Sequence, residues 1–97
     1  MADKKRWYII ETRETRKRTT PASSTMRQVH ARGINKAIGE ALWIIDQRMG
    51  GELYTIRPPI LKADHALLIA EGQRGGYPEQ PETITVEIRE MWGREHV

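Results

Sequence analysis

The chain has 97 residues, 38% hydrophobic and 30% charged, with a formal net charge of +3; this suits one small domain, residues 1–97, with one core, and leaves no room for a catalytic domain beside a partner domain. It has no Cys, which excludes disulfides, thiolate metal sites and thiol nucleophiles and suits a reducing cytoplasm. The basic start MADKKRWYII has only four apolar residues before Glu11, far short of a secretory h-region or a membrane span, so the expectation is a soluble cytoplasmic protein without a membrane segment.

Residues 7–15, WYIIETRET, open with two aromatics and two isoleucines and continue polar and β-tolerant, as a strand does. Residues 16–24, RKRTTPASS, form a basic loop: three consecutive cations, then Thr, Pro and Ser. In residues 25–32, Thr25, Arg27, Val29 and Ala31 alternate with Met26, Gln28 and His30, which favours a second strand over a helical turn capped by Thr25. A basic β-hairpin thus precedes residues 33–49, GINKAIGEALWIIDQRM. There Ile34, Ile38, Ala41 and Ile45 recur at the i, i+4, i+7, i+11 spacing of one helical stripe, flanked by Ala37, Leu42, Ile44 and Met49. Gly50 and Gly51 supply the left-handed stop, and Arg48 suits the negative end of the helix dipole. Gly33 is an acceptable N-cap, but Lys36 stands where a capping box has Glu or Gln.

Residues 52–57, ELYTIR, read as a third strand ended by Pro58 and Pro59, which offer no backbone donors. Residues 64–71, DHALLIAE, fit a buried strand slightly better than a short helix. Residues 72–82 make a Gly/Pro-rich loop. Residues 83–89, TITVEIR, carry the clearest alternation in the chain, with Ile84, Val86 and Ile88 on one face. The expected fold is therefore α+β: a mostly antiparallel sheet of four to five strands covered by one central helix, in the order strand-strand-helix-strand-strand-strand.

Catalytic patterns are missing. His30, His65 and His96 lie in separate elements, which is no ligand spacing. Asp64 and His65 are neighbours, but adjacent strand residues point to opposite faces. Ser23 and Ser24 lack the glycine-flanked elbow of a nucleophile, and Gly72, Gly75 and Gly76 lack a strand-to-helix setting for phosphate. The expectation is a protein that is not an enzyme and holds neither cofactor nor metal.

Charge is the remaining signal. Residues 1–36 hold ten Lys and Arg against three acids, and residues 37–97 hold six against ten. Arg13, Arg16, Lys17, Arg18 and Arg27 concentrate cations on the hairpin, and Arg74 adds one in a lone RGG-type loop; such density suits phosphate oxygens or an acidic protein surface. The asymmetry also lets two copies meet head to tail as a homo-oligomer. Trp43 falls about half a turn from the buried stripe, on a face with Lys36, Glu40 and Gln47. Cover by a sheet end or by Trp92 is the favoured expectation for it, and an anchor for another chain is the alternative. Two functions follow. The first is a nucleic-acid-binding module acting through the basic hairpin, such as an accessory factor of a phage or mobile element. The second is a protein-interaction module that inhibits or regulates a larger complex through the basic surface and Trp43.

Overall fold

The computed structural model describes residues 5–15, 23–51, 53–62, 64–72 and 81–91. The expected hairpin is formed by β1 (Arg6–Thr15) and β2 (Ser23–Ala31), antiparallel, with Arg6 opposite Ala31 and Glu14 opposite Ser23. β2 starts two residues earlier than its alternation suggests, inside the expected loop, because β1 is long enough to offer partners there. The helix α1 (Ile34–Met49) ends at Gly50, whose φ of 66° is the left-handed conformation that glycine adopts without a Cβ clash; its N–H donates to the Gln47 carbonyl at 3.2 Å.

The remaining strands are β3 (Tyr54–Ile56), β4 (Ile60–Leu61), β5 (His65–Gly72) and β6 (Thr83–Glu90). They complete one six-stranded antiparallel sheet in the order β2-β1-β6-β5-β3, with β4 also on β5. The sixth strand beyond the expected four to five is the two-residue β4, which resumes pairing after Pro58 and Pro59 have interrupted it. β3 is shorter than residues 52–57, although the Arg57 N–H still donates to the Ile69 carbonyl at 2.9 Å. Residues 64–71 are strand, as their apolar run suggests.

The architecture is α+β, with α1 lying on one face of the sheet. That face collects Tyr8 and Ile10 of β1, Val29 and Ala31 of β2, Ala66, Leu68 and Ala70 of β5, and Ile84, Val86 and Ile88 of β6, all buried against Ala37, Ala41, Ile44, Ile45 and Met49. Alanines at 37, 41, 66 and 70 are fully buried, and their small side chains let helix and sheet approach closely. The buried line of α1 therefore runs through Ala37, Ala41, Ile44 and Ile45. Ile34 and Ile38, expected at its centre, pack against its margin, and Leu42, expected beside it, is 41% exposed. Ion pairs close the core at both ends: Arg48 Nη1 to Glu14 Oε2 at 2.7 Å, and Arg6 Nη1 to Glu90 Oε1 at 3.2 Å.

Candidate functional site

Alternation places the cations of the hairpin on different sides of the sheet. Arg13 projects from the face that α1 leaves open and donates to Glu11 at 3.2 Å. Arg27 is on the helix side, where its guanidinium lies 3.5 Å from the Glu40 carboxylate. Arg16, Lys17, Arg18 and Arg74 lie outside the described residues, as does Trp92.

Trp43 is 56% exposed, against the expectation that the chain would cover it. The reason is the two-layer architecture: every described strand lies on the other side of α1, so among the described residues the back of the helix has no second layer. Trp43 lines two cavities beside β2. One, of about 440 Å³, is shared with Arg27, Gly39 and Glu40. The other, of about 320 Å³, is shared with Thr25, Met26, Ile44 and Gln47 among others. The fold thus brings together Trp43, Glu40, Gln47 and Arg27, while Arg13 is on the opposite face and Lys36 lies elsewhere.

The open face carries a chain of ion pairs across three strands. From β1 through β6 to β5, Arg13 reaches Glu11, Arg89 reaches Glu11 at 3.4 Å and Glu87 at 3.1 Å, and His65 Nε2 lies 2.8 Å from Glu87 Oε2. The hydrogen bond with His65 is the main cause of a lowered Glu87 pKa, with Arg89 adding to it against partial burial. These alternating charges offset one another and leave no net field for an anion at the centre of this face.

Of the four described cations without an ion pair, Lys62 stands alone after β4, and the other three collect at one corner, where β1 begins, β2 ends and α1 starts. Lys5, Arg32 and Lys36 line a cavity of about 600 Å³ with His30, Ala31, Gly33 and Asn35, and among the described residues no acidic side chain lines it. Among the described residues none of the three cations has an ion-pair partner, whereas Arg6, Arg13, Arg27, Arg48, Arg57 and Arg89 all have one. The first turn of α1 holds no acidic residue and Gly33 supplies no side-chain cap, so the helix start itself does not offset the positive charge. At the same corner Trp7 and His30, opposite each other in the hairpin, stack with ring centroids 4.4 Å apart and planes 8° from parallel.

His30 and Arg32 escape a sequence reading because each is isolated in the chain, Lys5 passes as part of the basic start beside Lys4 and Arg6, and Lys36 is noticed only for its place on the helix. The signal that finds them is the hairpin register: once Arg6 is opposite Ala31, Lys5 and Arg32 lie at the same end and Trp7 faces His30. No family model, curated protein or solved structure matches this chain. Among the described residues no group of three or more His, Cys, Asp or Glu side chains is placed to hold a metal ion. No helix among them is long and apolar enough to cross a membrane.

Proposed function

We propose that the protein is a small non-enzymatic module that binds nucleic acid, with phosphates held at the corner formed by Lys5, Arg32 and Lys36. The observation that carries this is the contrast in pairing: these three cations share one cavity and, among the described residues, have no carboxylate partner, while the arginines elsewhere in the described chain are held by acids. Cations that are not already neutralised are the ones that exchange counterions for phosphates. The exposed Trp7–His30 stack beside them adds a flat surface of the kind nucleobases rest on. Compared with the sequence expectation, the ligand stays and the contact moves to the opposite end of the hairpin from the RKR run. A ten-residue strand separates the two ends by about 30 Å at ~3.3 Å per residue.

The test is a titration of a labelled oligonucleotide by fluorescence anisotropy at several salt concentrations. Lys5→Glu, Arg32→Glu and Lys36→Glu together should weaken binding strongly and reduce the slope of log affinity against log salt by ~2 to 3, the effect of losing three phosphate contacts. All three residues are exposed, so the fold should survive. Unchanged affinity would remove the corner as the site. Arg16→Glu, Lys17→Glu and Arg18→Glu in a second variant asks whether the contact extends along the hairpin.

Trp43 supports a second reading, in which the back of α1 docks an acidic or apolar protein surface. A half-exposed indole beside exposed Leu42 and two cavities resembles the anchor of an interface more than a solvated helix face. In that case a partner that survives nuclease treatment should bind the parent protein and lose ~2 kcal/mol or more with Trp43→Ala. Equal binding by the variant would dismiss the docking role.

A further inference from the structure

The nucleic-acid reading leaves open which form of nucleic acid fits, and the corner has a geometry that discriminates. We propose that the ligand is single-stranded, with one base stacked on the outer face of His30 and its phosphate against Lys5, Arg32 and Lys36; this rests on the function proposed above.

Three observations support it. First, the stack has a free end. Trp7 stands on β1 and His30 on β2, and β2 is the outermost strand, so among the described residues no neighbouring strand places a side chain beyond the imidazole. Trp7 holds that ring close to parallel, and His30 is the member of the pair that lines the cavity with the three cations. A further flat ring on its outer face continues the stack, and the adjoining phosphate then falls among the cations. Second, the centre of the open face offers no net attraction to a backbone that would cross it. Glu11 and Glu87 stand there between Arg13, Arg89 and His65, and their charges are already matched. A strand that leaves the corner therefore follows the β2 edge. Third, a duplex finds little to hold it. Its bases are paired and stacked on one another, and groove readers insert a helix or a two-stranded ribbon. Beyond Lys36 at its start, the exposed back of α1 offers Leu42, Trp43 and Asp46, which are not phosphate ligands.

The experiment compares a labelled single strand with a duplex of the same sequence, using the parent, His30→Ala and His30→Phe, with melting curves to establish folding. The parent should bind the single strand at least about tenfold more tightly than the duplex. His30→Ala should weaken single-strand binding roughly 5- to 100-fold, the loss expected for one base–ring stack, and His30→Phe should restore most of it. Equal affinity for duplex and single strand, with His30→Ala silent, would overturn the inference while leaving nucleic-acid binding in place. Displacement of the strand by an equal concentration of mononucleotide would also overturn it and assign the cavity to a free nucleotide. Binding of neither form by the parent would remove the proposed function itself.

Discussion

The two faces of the sheet are built from the same strands, one residue out of phase, and obey different physics. On the covered face Ile10, Ile84, Val86 and Ile88 are removed from water by α1 and have no exposure to speak of. On the open face the intervening residues Ile9, Glu11, Arg13, Thr85, Glu87 and Arg89 stay in or near solvent, and the four charged ones are joined by ion pairs within and across the strands. Burial supplies most of the stability on the first face, because each large apolar side chain contributes about 1.5–3 kcal/mol on transfer from water. Exposed ion pairs contribute about 0–1 kcal/mol each, so the second face is free to carry charge for other purposes.

The sharpest way to test that division is to truncate neighbours on β1. Ile10→Ala should destabilise the protein by ~2 to 5 kcal/mol in urea unfolding, through lost burial and the cavity left behind. Ile9→Ala, one residue away on the open face, should cost less than ~1.5 kcal/mol. Similar losses at both positions would mean that the open face is covered as well. Next in size is the polar rim of the core. Glu14→Ala removes the 2.7 Å partner of the part-buried Arg48 and should cost ~1 to 3 kcal/mol by the same assay, with Arg48→Met recovering part of the loss in the double variant.

The helix repeats the contrast on a smaller scale. Trp43→Ala should change stability by less than ~1 kcal/mol because its indole is on the uncovered side, whereas Ile45→Ala on the covered side should behave like Ile10→Ala. A large loss at Trp43 would show that the chain buries it after all. The smallest effect belongs to the open-face ladder and is read against pH. The Glu87 pKa is lowered in the folded protein, chiefly by its hydrogen bond with His65. Its contribution is therefore complete above the ordinary carboxylate value of about 4.5 and is lost as pH falls from there through the lowered folded value. Glu87→Gln should flatten the acid limb of the melting-temperature profile by slightly lowering the plateau above it, leaving the acid end unchanged. Glu71, lowered by its hydrogen bond with Arg57, will keep part of that limb in place.

Much of the covered face was legible in the chain, because alternation and helical spacing are local. Ile84, Val86 and Ile88 announce a strand with one dry side, and Gly50 and Gly51 end the helix where they stand. The apolar run of β5 was harder, since Ala66 to Ala70 has no alternation and its strand state follows from pairing with β6 on one edge and β3 and β4 on the other. Ile38 shows the limit of periodicity: spacing identifies the apolar arc, but the small alanines at 66 and 70 decide which part of it touches the sheet. The candidate site was least legible. Arg13 and Arg27 look equally available in the sequence, and only the fold gives Arg27 its partner Glu40. Lys5, His30 and Arg32 become neighbours only through the register of β1 on β2.

That β1 lies between β2 and β6 has a consequence for the order of assembly. Its pairing with β2 closes a short loop and can form early, whereas its other edge waits for a strand that places Glu90 opposite Tyr8, 82 residues further along the chain. Pairings of such long range are slow, because the entropy of closing the intervening chain is lost before the contacts form. A nascent chain that has not yet reached residues 83–90 therefore presents β1 with one edge unsatisfied and the side chains of Tyr8 and Ile10 without the strand that completes their enclosure. Chaperone dependence and sensitivity to C-terminal truncation should accordingly be concentrated in β6, and the last strand to be synthesised is the one that commits the sheet.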